Sequence, residues 1–233
     1  MDTTDKGSLP RSIGAVARLA LGALAFATCA SASAAFITTN EAGLDAIFSQ
    51  SGFGTQTLDA RFNASRSLVA TNLLSIDSDP EFDSLSTFSV YSPGQTINLF
   101  FVDAITFCNV VGSFIGCAGG NVAVVSSSFA ARADLGANLN AHEIGHNLGL
   151  DHMSGSATNL MNPAISSNSS LTSDQIAEIL GSGLVQTDGT GQRFLSITPI
   201  VVLAAVPEPE TWAMLLMGLL GMAGWTRRRR TSS

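Results

Sequence analysis

An α/β fold is predicted for the middle of this chain, and three observations predict it. Thr96–Ile105 (T-I-N-L-F-F-V-D-A-I) is a nearly unbroken apolar run of strand length, as expected of a strand buried on both faces. Further on, Leu135–Leu148 reads as a helix that places Ala141, Ile144 and Leu148 on one buried side. The 233 residues are 45% apolar, enough for one ordinary core once both ends are set aside.

The other elements follow in order. Asn40 can cap a helix from Glu41 to Gln50, closed by Gly52, and Thr57–Phe62 reads as a strand. Ser65–Ile76 carries apolar pairs that fit neither a helical nor a strand period. Asp79-Pro80-Glu81 has the order of a helix start: cap, proline, acid. The alternating Asp77, Asp79, Glu81 and Asp83 are also hard-oxygen ligands of the kind Ca2+ takes, so capping and calcium both stand as readings. Asn121–Val125 is a second strand after Gly119 and Gly120. Thr172-Ser173-Asp174-Gln175 is a capping box that opens a helix through Leu180, with Ile176, Ile179 and Leu180 apolar and Gly181 as its stop. Arg193–Val202 reads as one more strand.

All three histidines lie within eleven residues, His142-Glu143-Ile144-Gly145-His146-Asn147-Leu148-Gly149-Leu150-Asp151-His152. This is H-E-x-x-H-x-x-G-x-x-H. Four residues apart on a helix, His142 and His146 project from one face, where two imidazoles can share a tetrahedral ion. Glu143 stands about 100° round from His142, within reach of an open fourth position. Gly149 can adopt the left-handed conformation that ends a helix and returns His152 as third ligand. Three neutral nitrogens leave a Zn2+ ion doubly positive, which acidifies water and polarises a carbonyl. Gly145 costs the helix about 1 kcal/mol against alanine, a sign of close packing there.

At these residues the chain resembles the metzincin clan of zinc endopeptidases, and most closely its matrixin-like branch. Leu160-Met161-Asn162-Pro163 stands where that clan has its methionine turn, with Met161 nine residues after His152. The resemblance implies a metzincin-like zincin fold: a mixed twisted sheet, an active-site helix, and a smaller C-terminal part with the Met turn and one helix. It implies a single catalytic Zn2+ on His142, His146 and His152, with Glu143 as general base toward water attacking a peptide bond. It further implies that the strand before the catalytic helix is an edge on which peptide substrate pairs. Asn121, Val122, Ala123, Val124 and Val125 are the candidates for it, with an ordinary core strand as the alternative. Two departures stand out. Met153 follows the third histidine, leaving the subfamily open, and the only tyrosine, Tyr91, is far upstream of the place where some relatives have a tyrosine ligand. A matrixin catalytic domain does not need the strand at Arg193–Val202. The domain is therefore drawn over residues 36–185, with 186–206 as extra strand and linker.

Both ends read as addresses. In residues 1–35, Lys6, Arg11 and Arg18 precede an apolar run from Leu19 to Ala27, and Ala32-Ser33-Ala34 offers a small-x-small cleavage pattern. At the other end, in 207–233, Pro207-Glu208-Pro209-Glu210 leads into an apolar segment, residues 212–226, followed by Arg227, Arg228, Arg229 and Arg230. This tail resembles the PEP-CTERM sorting signal of Gram-negative bacteria, which implies recognition by a membrane protease of the exosortase type and a place at the cell surface. As a helix, 212–226 spans about 22 Å, short of the roughly 30 Å hydrocarbon core, so transient inner-membrane insertion and a lasting single-span anchor are both readings.

Between residues 36 and 206 four arginines face fourteen acidic residues, a balance of −10. Such a surface argues against nucleic acid as a partner and suits a soluble exported protein. Cys29 leaves with the leader, and Cys108 and Cys117 remain as an even pair for an oxidising compartment. A disulfide is the favoured reading, with a metal pair as the alternative.

Overall fold

The structure is a computed structural model and describes residues 35–89, 95–206, 212 and 214–223. The leader with its cleavage pattern, Tyr91, Pro207–Glu210 and Arg227–Arg230 lie outside the described residues.

In chain order the elements are α1 (Glu41–Phe48), β1 (Leu58–Phe62), β2 (Arg66–Val69), β3 (Ser75–Ile76), α2 (Asp79–Thr87), β4 (Thr96–Val102), β5 (Ala104–Cys108), β6 (Val110–Phe114), β7 (Gly116–Gly119) and β8 (Val122–Ser126). Then come α3 (Ser127–Ala130), α4 (Gly136–Asn147), α5 (Ser173–Gly181), β9 (Val185–Thr187) and β10 (Arg193–Leu203). The main sheet runs β1-β10-β4-β8-β7, with β2 and β9 also paired to β10. β1, β2, β10, β4 and β8 are mutually parallel where they pair, whereas β7 and β9 run antiparallel. This is the mixed α/β sheet the sequence leads one to expect.

Parallel strands covered on both faces should be apolar throughout, and every residue of β4 and β8 is buried. Alternation then divides them between two cores. Ile97, Leu99, Phe101, Ala123 and Val125 point into the core shared with α1 and α4, around Leu44, Phe48, Leu139 and Ile144. Phe100, Val102, Val122 and Val124 point the other way, toward Leu73, Ile76, Leu85 and Ile105. There a small sheet, β3-β5-β6, covers the second face with α2.

Three sequence expectations change. The run Thr96–Ile105 is two strands, since β4 ends at Val102 and β5 turns into the small sheet. Asn40 is positioned before α1 in a left-handed conformation and makes no side-chain cap; its amide donates instead to the carbonyls of Ala130 and Thr38. Before α2 the N-cap position falls on Ser78, and Glu81 reaches back to accept from the Asp77 amide at 2.7 Å. Two members of the acidic run thus serve the helix start, and among the described residues the only grouping of three or more potential metal ligands is the histidine one. The calcium reading has no support.

The largest correction concerns Arg193–Val202. β10 is no appendage: it lies between β1 and β4, and Leu195, Ile197, Ile200 and Val202 are 0–2% exposed. A boundary at residue 185 therefore cuts the sheet open, and residues 186–206 belong to the domain. Among the described residues no helix is long and apolar enough to cross a membrane, so the transmembrane reading of 212–226 is not supported; of that segment, 212 and 214–223 are described.

A chain ending at Gln192 loses the central strand and leaves β1 and β4 without their shared partner. It should show no cooperative thermal unfolding, whereas a chain ending at Val206 should unfold cooperatively; a native-like melt from the shorter chain would contradict the role given to β10.

Candidate metal and catalytic centre

α4 runs across the sheet and contributes His142, Glu143 and His146. It ends at Asn147, the chain turns at Gly149 with φ 105°, and Leu150–His152 come back beneath it. A side chain at that φ would be strained, so the glycine is what lets the turn form. The Nε2 atoms of His142 and His146 are 3.2 Å apart, those of His146 and His152 3.2 Å, and those of His142 and His152 3.3 Å.

The protonation pattern of this triangle follows from its outer bonds. His142 Nδ1 lies 2.7 Å from the Leu160 carbonyl, and His146 Nδ1 lies 2.7 Å from the Leu150 carbonyl. A carbonyl only accepts, so each Nδ1 carries the proton and each Nε2 of the neutral ring presents a lone pair inward. Burial reinforces this: it holds the His142 pKa down to about 4 and also lowers that of His146. Lone pairs facing one another at van der Waals separation repel unless a cation answers them. Dividing a 3.2 Å side by the square root of three puts the triangle's centre about 1.9 Å from each nitrogen. Zinc–imidazole bonds are about 2.0–2.1 Å. Donor type, tautomer and spacing all fit Zn2+.

The floor of the centre is the Met turn. Leu160 supplies the carbonyl to His142, and Met161 is fully buried beneath Gly145. A Cβ on Gly145 would stand 2.7 Å from Met161 Sδ, which explains the glycine inside the helix. Met153 N donates to the Met161 carbonyl at 2.8 Å, tying the stretch of chain after His152 to the same turn. Two residues missed in the sequence hold that turn. Asn159 Oδ1 accepts from Met161 N at 2.9 Å, and the Asn159 and Gln175 amides bond each other reciprocally at 2.8 and 3.1 Å. Gln175 also closes the capping box with Thr172, at 3.0 and 3.2 Å. The box is visible in the sequence; the second duty of Gln175 is not, because it depends on a partner sixteen residues away.

Glu143 is 3% exposed, and burial pushes its pKa up to about 8. It lines a cleft of about 570 Å³ together with Gly116, Ala118, Pro163 and Ile165. The edge assignment of Asn121–Val125 does not hold. Val122–Ser126 is hydrogen-bonded to β4 on one side and to β7 on the other, so it has no free edge, and Asn121 precedes it with its carbonyl accepting from Asn98 N at 2.8 Å. The strand at the end of the sheet, beside the cleft, is β7. Its Gly-Cys-Ala-Gly sequence has no strand signal, and it reads as loop until the pairing with β8 is seen. Cys117 of β7 is joined by a disulfide to Cys108 at the end of β5.

A mixed sheet, a helix carrying two histidines and a glycine turn returning the third define a metzincin type of zinc-site protein. The chain belongs to the matrixin family, whose model matches residues 34–180, and a PEP-CTERM protein-sorting motif matches residues 205–230. No curated protein and no solved structure matches the chain. Family membership supports zinc metalloprotease chemistry in general terms, and the sorting motif supports export and surface sorting.

The buried carboxyl sets a pH dependence for the metal-free protein. With its folded pKa raised to about 8 from 4.5, Glu143 keeps a proton on folding that the unfolded chain has lost, so stability falls as pH rises between those values. His142 and His146, whose folded pKa values burial lowers, contribute the opposite slope as the unfolded chain loses its protons around 6.5, and little once pH is about a unit higher. The melting temperature of chelator-treated protein should drop as pH rises from about 7 through about 8, and Glu143→Gln should flatten that drop. An equal drop in the variant would remove Glu143 as its source.

Proposed function

We propose that the chain is an exported zinc endopeptidase. One observation carries the reading: three imidazole Nε2 atoms converge within 3.3 Å of one another and line the same cleft as a buried carboxyl. A purely structural zinc site closes its fourth position with protein and has no use for a base.

His142, His146 and His152 would hold the ion. Zinc, when bound there, supplies a Lewis acid that polarises a carbonyl and lowers the pKa of water. Glu143 takes a proton at its carboxylate from the attacking water and passes it to the leaving nitrogen of the peptide bond. Burial raises its pKa in the metal-free protein, and a dication held by the three histidines would lower it, favouring the carboxylate. Substrate lies along β7, whose outward N–H and C=O groups give main-chain bonds to a peptide of any sequence. The Leu160 and Leu150 carbonyls keep two of the imidazoles in one tautomer through the cycle. The C-terminal motif addresses the chain to an exosortase-type membrane protease, which removes the arginine tail.

Residues 35–206, exported and purified, should contain about one zinc and hydrolyse an unfolded protein such as casein. Glu143→Ala should retain the zinc and lose several orders of magnitude in kcat, because base and metal act as a unit. A fully loaded but inactive wild type would favour the rival reading of a zinc-binding surface or biofilm-matrix protein.

Processing of the tail is read independently, by mass spectrometry of surface material from the native host. Mature chains should lack Arg227–Arg230; chains intact through Ser233 would overturn the address reading.

A further inference from the structure

We propose that Gly116 is a positioning residue for Glu143: the side chain Gly116 lacks is the space in which the carboxyl group stands. The proposal deepens the peptidase reading and rests on Glu143 being its base.

The contact is geometric. A Cβ on Gly116 would lie 2.5 Å from Glu143 Cδ and 2.7 Å from Cγ, and would overlap Oε1. Real Cβ atoms do not approach other atoms so closely. Nothing else requires glycine there, because Gly116 is not among the residues at positive φ and sits in regular register opposite Val125. Gly120 is the contrast: φ is 58° and a Cβ would meet nothing within 4 Å, so that glycine serves the backbone.

Neither partner's backbone has room to retreat. β7 is held to β8 at four successive pairs, Gly116–Gly119 against Val122–Val125, and the next residue, Cys117, is tied to Cys108. α4 carries His142 and His146 on either side of Glu143 in sequence, so rotating the helix away would break the histidine triangle. The carboxyl end of Glu143 is the part that must swing. A base displaced by about 1 Å costs on the order of 100-fold in rate, while the metal ligands stay in place.

The test compares Gly116→Ala with wild type, in both the native and the Glu143→Asp background, on zinc-loaded residues 35–206. With a fluorogenic peptide, Gly116→Ala should lower kcat by about 10- to 100-fold, with KM within about threefold and zinc content unchanged. Shortening the acid by one methylene removes the most severe overlap, that with Oε1, and leaves a smaller carboxyl to swing aside, so in the Glu143→Asp background the same substitution should cost a smaller factor than in the native one. Should Gly116→Ala alone fail to fold, pairing it with Glu143→Ala, which removes the three atoms the new Cβ would meet, is expected to restore a cooperative melt. Unchanged kcat, an equal loss in both backgrounds, or zinc loss with Gly116→Ala would each overturn the proposal. Calorimetric titration with a small hydroxamate, a zinc chelator that also donates a hydrogen bond to a neighbouring carboxylate, repeats the four-way comparison without turnover. A wild type that binds zinc and hydroxamate but cleaves nothing therefore defeats the peptidase reading alone, while the hydroxamate series still decides on Gly116.

Discussion

The site depends on three imidazole Nε2 atoms converging to 3.2–3.3 Å of one another, a spacing that suits a shared Zn2+ ion. Much of the surrounding structure serves that condition. The Leu160 and Leu150 carbonyls fix the proton of two rings on the outer nitrogen, so those rings cannot present N–H groups to one another. Burial of His142 adds to this by making the charged imidazolium costly. The Met turn exists, in these terms, to hold one carbonyl in place. Asn159 and Gln175 satisfy its backbone and each other, and Met161 fills the space that Gly145 leaves open.

The sheet imposes the second constraint. α4 must lie at a fixed height over β7 and β8 if Glu143 is to reach the cleft, and that height depends on the strands beneath. β10 sits in their midst, with β1 and β2 along one side and β4 along the other. Parallel pairing of this kind joins residues far apart in the chain. It is closed here by the last strand before the sorting motif, so the sheet completes only when nearly the whole exported domain is present. The residues of the sorting motif, 205–230, follow this strand almost at once in the sequence.

Much of the site was legible in the sequence because its geometry is local. Residues i and i+4 share a helix face whatever the fold, a glycine after the helix permits the turn, and His152 follows His146 by six residues of chain. The capping box at Thr172 and the apolar interior of β4 and β8 are local in the same sense. The disulfide partners were legible too, since two cysteines remain once the leader is set aside.

What only the tertiary structure decided is the order of the strands and all that follows from it. β10 looks like a tail in sequence and proves central; Asn121–Val125, open in sequence to an edge or a core reading, proves interior; Gly116–Gly119 looks like loop and forms the edge. Strand period reports which residues are buried, but not which strand lies beside which, because that choice is made by long-range hydrogen bonding and shared apolar faces. The contact between Gly116 and Glu143 belongs to the same category. The sequence determined that a helix with two histidines on one face and an adjacent acid would form. The packing of that helix against a glycine of β7 determined where the acid stands.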